Sequence, residues 1–376
     1  MNIILNLFIA FSFFVSGGCK DKEINKETDV KSSGSTSSTS TIEPFVTDLE
    51  VPWSIVFTSG SRILVNERPG RLRVVNDGKL EPEPLMTFSE VSSGSEEGLM
   101  GLTLDPGYGE NKFIYLSYAY EKDGDLVVKV VKYKDNGTNI SDPQLIFDNI
   151  PAAKYHAGCR IKFGPDGKLY ITTGDAGERK FAQDLSKLHG KILRINSDGS
   201  IPGDNPFANS PVWSYGHRNP QGIDWVAGTD IMWQTEHGPS GFDGPGGGDE
   251  VNVIVKGKNY GWPEVSHTES KEGMVSPVLV FTPAEAPASG LVYKSGKIAE
   301  FKDCFLFGSL RGNGIVVVKI DPNDRSKAIS HSKIATEYGR IRDITEGPDG
   351  FIYFSSSNKD GRGSPKKGDD KIYMIK

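Results

Sequence analysis

The chain has little of the material that several common kinds of protein chemistry require. It carries three cysteines and six histidines in 376 residues. No two histidines have the spacing of a metal site and there is no His-Glu-x-x-His motif, so zinc chemistry is not expected. The sequence also lacks a Gly-x-Ser-x-Gly motif, a Walker loop and a Gly-x-Gly-x-x-Gly motif after a strand. The common signatures of hydrolases and of nucleotide-binding proteins are therefore missing.

Clusters of positive charge are absent as well. The net charge is −6 at pH 7 and the chain contains no basic run, which argues against a nucleic-acid partner. Glycine and proline are plentiful, at 44 and 22 residues, and 36% of the residues are hydrophobic. This composition is typical of a turn-rich, soluble β protein, and the length allows one large domain or two average ones.

The N-terminal segment differs from the rest of the chain. Ile3–Val15 is nearly all apolar, and Ser16-Gly17-Gly18-Cys19 places small residues before a cysteine. This pattern resembles a bacterial lipoprotein signal over residues 1–19, with Cys19 lipidated; an ordinary signal peptide or a short anchor helix is the alternative. Residues 20–43 are rich in Ser, Thr, Lys and Glu and predict a disordered tether. We therefore expect a lipid-anchored protein of the bacterial cell envelope, facing the periplasm or the cell surface, with its folded domain over residues 44–376.

Two cysteines remain after the N-terminal segment, Cys159 and Cys304. In an exported protein they could form a disulfide. Two separate buried thiols are the reading that we favour, because the sequence gives no sign that the two residues meet.

From Pro44 onwards, short β-rich runs alternate with turns. Strands at this close spacing predict a sandwich, a barrel or a propeller. Helical periodicity is weak, and its best window, Lys180–His189, predicts one short helix. The clearest predicted strands are Arg62–Asn66, Leu72–Val75, Lys112–Tyr118, Leu126–Tyr133, Lys168–Thr173 and Phe351–Phe354.

A weak internal repeat favours one of these β architectures. Gly164-Pro-Asp-Gly-Lys-Leu-Tyr-Ile171 recurs as Gly347-Pro-Asp-Gly-Phe-Ile-Tyr-Phe354, and Asp-Gly also occurs at Asp77-Gly78 and Asp198-Gly199. Asp-Gly suits tight hairpin turns, which need positive φ. A repeated strand–turn–strand unit predicts an all-β, six-bladed β-propeller of four-stranded antiparallel blades, with about 55 residues in each blade. Such a ring brings loops from every blade to one central pocket.

The stretch Gly216–Pro263 holds the densest set of loop residues in the chain. Glycine and proline permit close backbone approach, while Arg, Asn and acidic residues supply directed polar groups. Loops of this kind usually carry function on a rigid scaffold. The stretch contains four clusters: Gly216–Gly222, Thr235–Pro239, Gly248–Asn252 and Asn259–Pro263.

His156 is the histidine best placed to act as a base. It precedes the predicted strand Ile161–Phe163, and a hairpin with its turn at Asp166-Gly167 would bring Asp175 back beside it. A carboxylate next to an imidazole orients the ring and raises its basicity, as a general base requires. The alternative is a surface histidine that lies near an aspartate by accident of strand pairing.

Arginines and a Gly-Pro turn suggest an anionic ligand and a hard cation. Arg340 and Arg342 are two residues apart, so on a strand they would share a face. Converging guanidinium groups suit carboxylates or phosphates, although two exposed arginines on an outer strand would look the same in sequence. Gly238-Pro239, close to Asp249-Glu250, offers the oxygen ligands that calcium accepts.

In order along the chain, these motifs resemble the glucose/sorbosone dehydrogenase family, which includes soluble glucose dehydrogenase and aldose sugar dehydrogenase. The resemblance implies a six-bladed propeller that uses pyrroloquinoline quinone (PQQ) and calcium. It runs from Leu49 to the C-terminus through the four clusters above and through Asn66–Arg71, Glu97–Leu102, His156–Gly177, Gln183–Asp184, Gly190–Ile195, Ile201–Phe207, Ala286–Leu291, Gly308–Leu310 and Gly339–Asp343.

The resemblance also implies catalytic roles for three residues. His156 would be the general base that removes the proton of the anomeric hydroxyl of the sugar. Asp175 would be the carboxylate near that base. Arg218 would stabilise the negative charge that develops on the reduced quinone.

Further positions would bind the cofactor and its metal. Asn219 matches a cofactor-pocket residue, and the pair Arg340 and Arg342 matches the residues that bind the cofactor's carboxylates. The backbone carbonyls of Gly238 and Pro239 would hold calcium. Two cofactor-binding positions depart from the glucose-oxidising members of the family: Arg311 falls where they have lysine, and Glu96 falls where they have glutamine.

The function that this resemblance implies is oxidation of an aldose sugar to a lactone. Hydride passes from C1 to PQQ, calcium polarises the quinone, and an external acceptor of quinone or cytochrome type takes the electrons. Two rivals share the architecture: a calcium-dependent lactonase, which would not need clustered arginines, and a non-catalytic propeller displayed as a binding module.

Overall fold

The computed structural model describes residues 40–376 and the backbone of residues 31–32. The signal peptide and the lipidated Cys19 predicted above lie outside the described residues, as does most of the predicted tether. Among the described residues, no helix has the length and apolar character needed to cross a membrane. The chain forms a ring of six antiparallel blades, which confirms the predicted six-bladed β-propeller.

Each blade is built from strands that follow one another along the chain. Two strands, β1 (Lys31–Ser32) and β2 (Ile42–Val46), precede the first blade. The first blade contains β3 (Pro52–Phe57), β4 (Arg62–Glu67), β5 (Arg71–Asn76) and β6 (Lys79–Leu80), with β7 (Met86–Thr87) paired to β5. The second contains β8 (Leu99–Leu104), β9 (Phe113–Lys122), β10 (Asp125–Asp135) and β11 (Ile140–Pro151). The third contains β12 (Ile161–Phe163), β13 (Leu169–Thr173), β14 (Lys191–Ile195) and β15 (Val212–Tyr215).

The other three blades repeat this order. The fourth contains β16 (Pro220–Trp225), β17 (Met232–Glu236), β18 (Asp249–Ile254) and β19 (Leu279–Phe281). The fifth contains β20 (Pro287–Val292), β21 (Cys304–Ser309), β22 (Ile315–Ile320) and β23 (Ala328–Ile334), with β1 parallel to β23. The sixth contains β24 (Ile341–Glu346), β25 (Ile352–Ser356) and β26 (Ile372–Ile375).

The N-terminal strand β2 closes the ring. It pairs antiparallel with β26 and so becomes the fourth strand of the sixth blade, with Ile42 opposite Ile375. Because β2 begins at Ile42, it runs across the domain boundary predicted at residue 44. Residues 42–46 and the C-terminal strand β26 are therefore held in one sheet.

The first strand of each blade lies near the axis, where neighbouring blades contact each other closely. Small residues make this approach possible. A Cβ on Gly222 of β16 would come within 2.4 Å of the backbone nitrogen of Gly290 on β20. Farther out, apolar side chains from adjacent sheets pack together into cores that include Leu193, Leu306 and Phe354, none of which is exposed to solvent.

The repeated turn motif occupies equivalent places in two blades. It joins β12 to β13 in the third blade and β24 to β25 in the sixth. Gly167 and Gly350 have φ of 70° and 79°, the left-handed conformation that favours glycine at these turns.

Helical structure is sparse, and the predicted helix Lys180–His189 is wrong in length and type. The segment forms a 3₁₀ helix over Arg179–Gln183 only and continues as turns. The buried Lys191 explains this, since its Nζ donates to the carbonyls of Phe181, Ala182 and His189. The remaining described helices are α1 (Tyr108–Asn111) and two 3₁₀ turns, Ala299–Phe301 and Thr336–Tyr338.

The two cysteines of the folded domain are separate. Cys159 and Cys304 are both buried free thiols, so the favoured reading is confirmed and no bridge joins them. Burial raises the pKa of Cys159 to about 12 and that of Cys304 to about 11, which keeps both protonated at neutral pH.

Candidate active site

A cavity of about 690 Å³ opens on one face of the ring. Its walls come from loops that enter the innermost strands and from turns between the second and third strands of blades. All six blades contribute, for example through Trp53 in the first blade, Glu96 in the second and Arg342 in the sixth. Ring closure thus gathers residues that lie far apart in sequence.

His156 and Asp175 are in direct contact at this cavity. The Nδ1 atom of His156 lies 2.7 Å from Oδ1 of Asp175, which confirms the contact predicted from the β12–β13 hairpin. Since an ionised carboxylate only accepts hydrogen bonds, Nδ1 is the donor and Nε2 is left as the basic nitrogen. His156 lines the cavity with 5% of its surface exposed, so its imidazole is largely shielded from bulk water.

Asp175 is fixed from two further sides. The backbone N–H of Gly177 donates to its Oδ1 at 2.9 Å, and Nε1 of Trp262 donates to its Oδ2 at 2.8 Å. Trp262 belongs to one of the loop clusters singled out in the sequence, but its contact with Asp175 was not predicted. With these donors in place, the carboxylate cannot turn away from the imidazole of His156.

Arg218 lies beside this group and is 2% exposed. Its guanidinium carbon lies 5.5 Å from the ring centre of Trp262. Its Nε donates to Asp243 at 2.8 Å, and its Nη2 donates to Ser240 at 3.1 Å. Both partners lie on residues 240–247, which we call the glycine-rich loop. The glycine-rich loop thus supplies Asp243 as the counter-ion of Arg218.

Arginine dominates the charge of the cavity. Six arginines line it, against three acidic side chains, Glu96, Asp249 and Asp360. The predicted residues Arg218, Arg311, Arg340 and Arg342 are all among the six, and the sequence reasoning missed the other two, Arg68 and Arg362.

The predicted pair Arg340 and Arg342 lines the same cavity, but the two side chains differ in their partners. Strand β24 begins at Ile341, so only Arg342 lies within it. Arg340 donates to Asp360 through Nε and Nη2 at 2.8 and 2.7 Å. Arg342 donates from Nη1 to Gln221 at 3.2 Å and makes no salt bridge within the described part of the chain. Burial lowers the pKa of Arg342 to about 9, because a buried guanidinium without a counter-ion is costly to keep charged.

Glu96 has a partner that explains how an acid is accommodated at this position. Its Oε1 accepts from Nη1 of Arg362 at 2.7 Å, and its Oε2 accepts from the backbone N–H of His156 at 3.0 Å. Burial opposes ionisation, but electrostatic interaction with His237 and Arg362 and the hydrogen bond from the His156 N–H lower the pKa of Glu96 to about 2. The carboxylate therefore braces the backbone of His156, whose φ of 55° is unusual for a residue with a side chain.

The candidate calcium ligands lie on the same wall. Gly238 and Pro239 both line the cavity. Asp249 holds the Gly238 end of this turn by accepting its N–H at 2.7 Å, and also accepts from Ala286 N–H at 2.6 Å. Among the residues that the structure describes, no group of three or more His, Cys, Asp or Glu side chains has the arrangement of a metal site. The carbonyl of Pro239 accepts the backbone N–H of Gly247 at 3.2 Å, and the calcium site at Gly238 and Pro239 stays a prediction.

Asn219 is the predicted cofactor residue that does not reach the cavity wall. It is fully buried, and its Oδ1 accepts from Nε2 of Gln221 at 3.2 Å. Gln221, which the sequence reasoning missed, lines the cavity itself and bonds to Arg342. Asn219 therefore does not line the cavity itself, but it orients the side-chain amide of Gln221, which does.

The sequence and the fold both match known proteins. The family model described as glucose/sorbosone dehydrogenase matches residues 49–365, a span that includes every cavity residue from Trp53 to Arg362. Aldose sugar dehydrogenase YliI of Escherichia coli (strain K12) is 31% identical over 345 residues, covering 85% of this chain and 91% of its own length.

Two further relatives carry a quinone cofactor in their names. Quinoprotein glucose dehydrogenase B of Acinetobacter calcoaceticus is 25% identical over 423 residues, with 87% of each chain covered. The PQQ-bound aldose sugar dehydrogenase of Streptomyces coelicolor has a TM-score of 0.79 at 30% identity, covering 90% of this chain and 98% of its own.

Proposed function

Because the chain belongs to the glucose/sorbosone dehydrogenase family of sugar oxidoreductases, we propose that it oxidises the C1 hydroxyl of aldose sugars to lactones, with PQQ and calcium as cofactors. The observation that carries the proposal is the His156–Asp175 pair at 2.7 Å in a cavity lined by six arginines. A base and a cationic wall in one cavity suit proton removal from a neutral sugar beside an anionic cofactor.

The residues present fit an anionic cofactor. Among the described residues that line the cavity, Arg68 and Arg342 each have a buried Nε without a hydrogen-bond partner. Buried donors of this kind are costly unless a ligand satisfies them. Arg340 and Arg342 would hold the carboxylates of PQQ, and Arg311 would add a further cation at the exposed side.

The reaction also needs a hydride acceptor and a Lewis acid. When bound, PQQ would supply the hydride acceptor, and calcium, which the carbonyls of Gly238 and Pro239 would hold, would supply the Lewis acid. The protein's own residues remove the proton. Nε2 of His156 takes it from the anomeric hydroxyl, while Asp175 keeps the imidazole in the required tautomer and stabilises the imidazolium that forms.

Arg218 would stabilise the negative charge that develops on the hydride acceptor. Its guanidinium is held rigidly by Asp243, Ser240 and the carbonyl of His237, to which Nη1 donates at 3.2 Å. A fixed cation costs no reorganisation at the moment when negative charge develops on the acceptor. An external electron acceptor of quinone or cytochrome type completes turnover.

Reconstitution is the test of this function. The purified protein is mixed with PQQ and calcium, and dye reduction is followed with monosaccharide and disaccharide aldoses. We expect turnover that needs both cofactors and disappears in His156→Gln, while cofactor binding to that variant persists. Hydrolysis of a lactone without quinone would favour the lactonase instead. Sugar binding without turnover would favour a binding module, and failure of both cofactor binding and turnover would refute the proposal.

A further inference from the structure

Exposed aromatic rings stand at the mouth of the cavity. Seven large hydrophobic residues in the described part of the chain are exposed, and Phe242 is the most exposed of them at 69%. Tyr155 is another, at 39%. Both line the cavity. An exposed apolar surface beside a cleft usually marks a binding site, because it gains free energy when a ligand covers it.

The two rings surround the proposed base. The ring centres of Tyr155 and His156 are 4.9 Å apart, and those of Tyr155 and Phe242 are 5.8 Å apart, edge to face. Phe242 lies nearly parallel to the His156 imidazole, with ring centres 6.3 Å apart and 20° between the planes. His156 is largely buried whereas Phe242 is open to solvent, so the aromatic pair lies on the solvent side of the base.

Phe242 is held in this place by the residue that follows it. Asp243 binds Arg218 through Oδ2 and accepts the backbone N–H of Ser240 through Oδ1 at 2.9 Å. Its backbone carbonyl accepts from Nη1 of Arg179 at 2.9 Å. The glycine-rich loop is therefore anchored at a buried ion pair, and the exposure of Phe242 is part of its conformation.

The ligand that fits such a surface is a sugar ring. The C–H face of a pyranose is apolar and carries slightly positive hydrogens, which the negative face of an aromatic ring attracts. If C1 of the reducing-end ring meets Nε2 of His156, a substituent on the far side of that ring extends toward solvent and reaches Phe242. We propose that Tyr155 and Phe242 form a stacking surface for the second ring of a disaccharide or longer reducing saccharide, and so favour such sugars over monosaccharides at this site.

This inference rests on the proposed function, so its test includes a measurement that does not need turnover. The first measurement is the ratio of kcat/KM for maltose or cellobiose to kcat/KM for glucose, in the holoenzyme. We expect Phe242→Ala to lower this ratio about tenfold and Phe242→Tyr to restore most of it. The control is Leu145→Ala, which should leave the ratio unchanged, because Leu145 is an exposed apolar residue (59%) on β11 that does not line the cavity.

The second measurement is calorimetric titration of the protein without cofactor with methyl β-maltoside, whose blocked C1 prevents oxidation. Weaker binding to Phe242→Ala and Tyr155→Ala than to the wild type and Leu145→Ala supports the stacking surface. If the wild type binds the glycoside but oxidises no sugar, the proposed function fails while the surface stands. An unchanged ratio in Phe242→Ala, no glycoside binding to the wild type, or an effect on the KM of the electron acceptor alone would each overturn the inference.

Discussion

His156 depends on a neighbour that does not touch the ligand space. Asp175 is 1% exposed and accepts hydrogen bonds from the imidazole, from Gly177 and from Trp262. A base held by a buried carboxylate keeps one ring nitrogen protonated and the other available. Loss of His156 and loss of Asp175 should therefore both lower kcat, and the loss of His156 should lower it more.

The first prediction concerns this support. In the wild type, His156 and Trp262 donate to different carboxylate oxygens of Asp175. Asp175→Asn replaces one of these oxygens with an NH2 group, which cannot accept, so one of the two hydrogen bonds is lost. We expect kcat to fall roughly 100-fold with little change in KM, and His156→Gln to fall further. Steady-state kinetics of the reconstituted enzyme measures both, with PQQ binding as the control for folding. Activity of Asp175→Asn within twofold of the wild type would contradict the role given to Asp175.

Glu96 shows how a charge that looks misplaced in sequence is balanced in space. Glu96 stands where the glucose-oxidising members of the family have glutamine, and nothing in the spacing of residues 96 and 362 predicts that they meet. Their contact at 2.7 Å depends on ring closure, which brings the last blade against the second-blade loop.

The second prediction follows from that pair. Arg362→Gln leaves the Glu96 carboxylate without its counter-ion, so we expect PQQ affinity to fall about tenfold. Because the fall comes from the exposed negative charge, the double variant Glu96→Gln/Arg362→Gln should bind within about threefold of the wild type. Equilibrium dialysis of the cofactor gives these affinities. A double variant as weak as Arg362→Gln would show that Arg362 binds the cofactor directly.

At the level of single elements, the sequence predicts strands well and helices poorly. The predicted strands Arg62–Asn66 and Leu126–Tyr133 are confirmed as parts of β4 and β10, because short runs rich in Val, Ile and Leu between turns suit strands that pack within a blade. The helix expected over Lys180–His189 fails because Lys191, two residues beyond it, takes the carbonyl groups of Phe181, Ala182 and His189. Helical periodicity alone does not show that a lysine at this position is buried and turned back onto those carbonyls.

The third prediction concerns strand β2, which the predicted boundary at residue 44 would cut. Removing residues 1–39 keeps β2, whereas removing residues 1–47 deletes it and exposes the edge of β26. The longer deletion also removes Phe45, whose ring lies 5.1 Å from that of Tyr353. We expect the shorter variant to keep the Tm of the full chain and the longer one to lose roughly 10 °C. Differential scanning calorimetry measures the difference, and equal Tm values would show that the ring does not need this strand.

At the scale of the whole molecule, the ring decides which side chains meet. The repeat and the Asp-Gly turns predicted a propeller, and the resemblance pointed to most of the cavity residues. The sequence analysis missed Arg68, Gln221 and Arg362. These residues belong to the first, fourth and sixth blades, and they meet at the cavity only because the blades are arranged in a closed ring. The only available sign of Arg68 was its place in the motif Asn66–Arg71.

The last prediction concerns charge, which is negative for the whole protein and positive in the cavity. The protein is negative overall, at −6, while the cavity has six arginines against three acids. A polyanionic cofactor should therefore bind through charges that salt screens, since the Debye length shrinks from about 30 Å at 0.01 M to about 10 Å at 0.1 M.

We expect PQQ affinity to fall about tenfold between 20 and 500 mM NaCl in the wild type, and to fall less steeply in Arg342→Met, which removes the guanidinium that has no counter-ion of its own. Binding of the neutral methyl β-maltoside is the matched control, because stacking on Phe242 does not depend on charge and should be insensitive to salt. A PQQ affinity that does not change with salt would mean that the arginine wall does not attract the cofactor. An equal slope in Arg342→Met would instead assign the attraction to Arg340, whose Asp360 partner would then have to release it on binding.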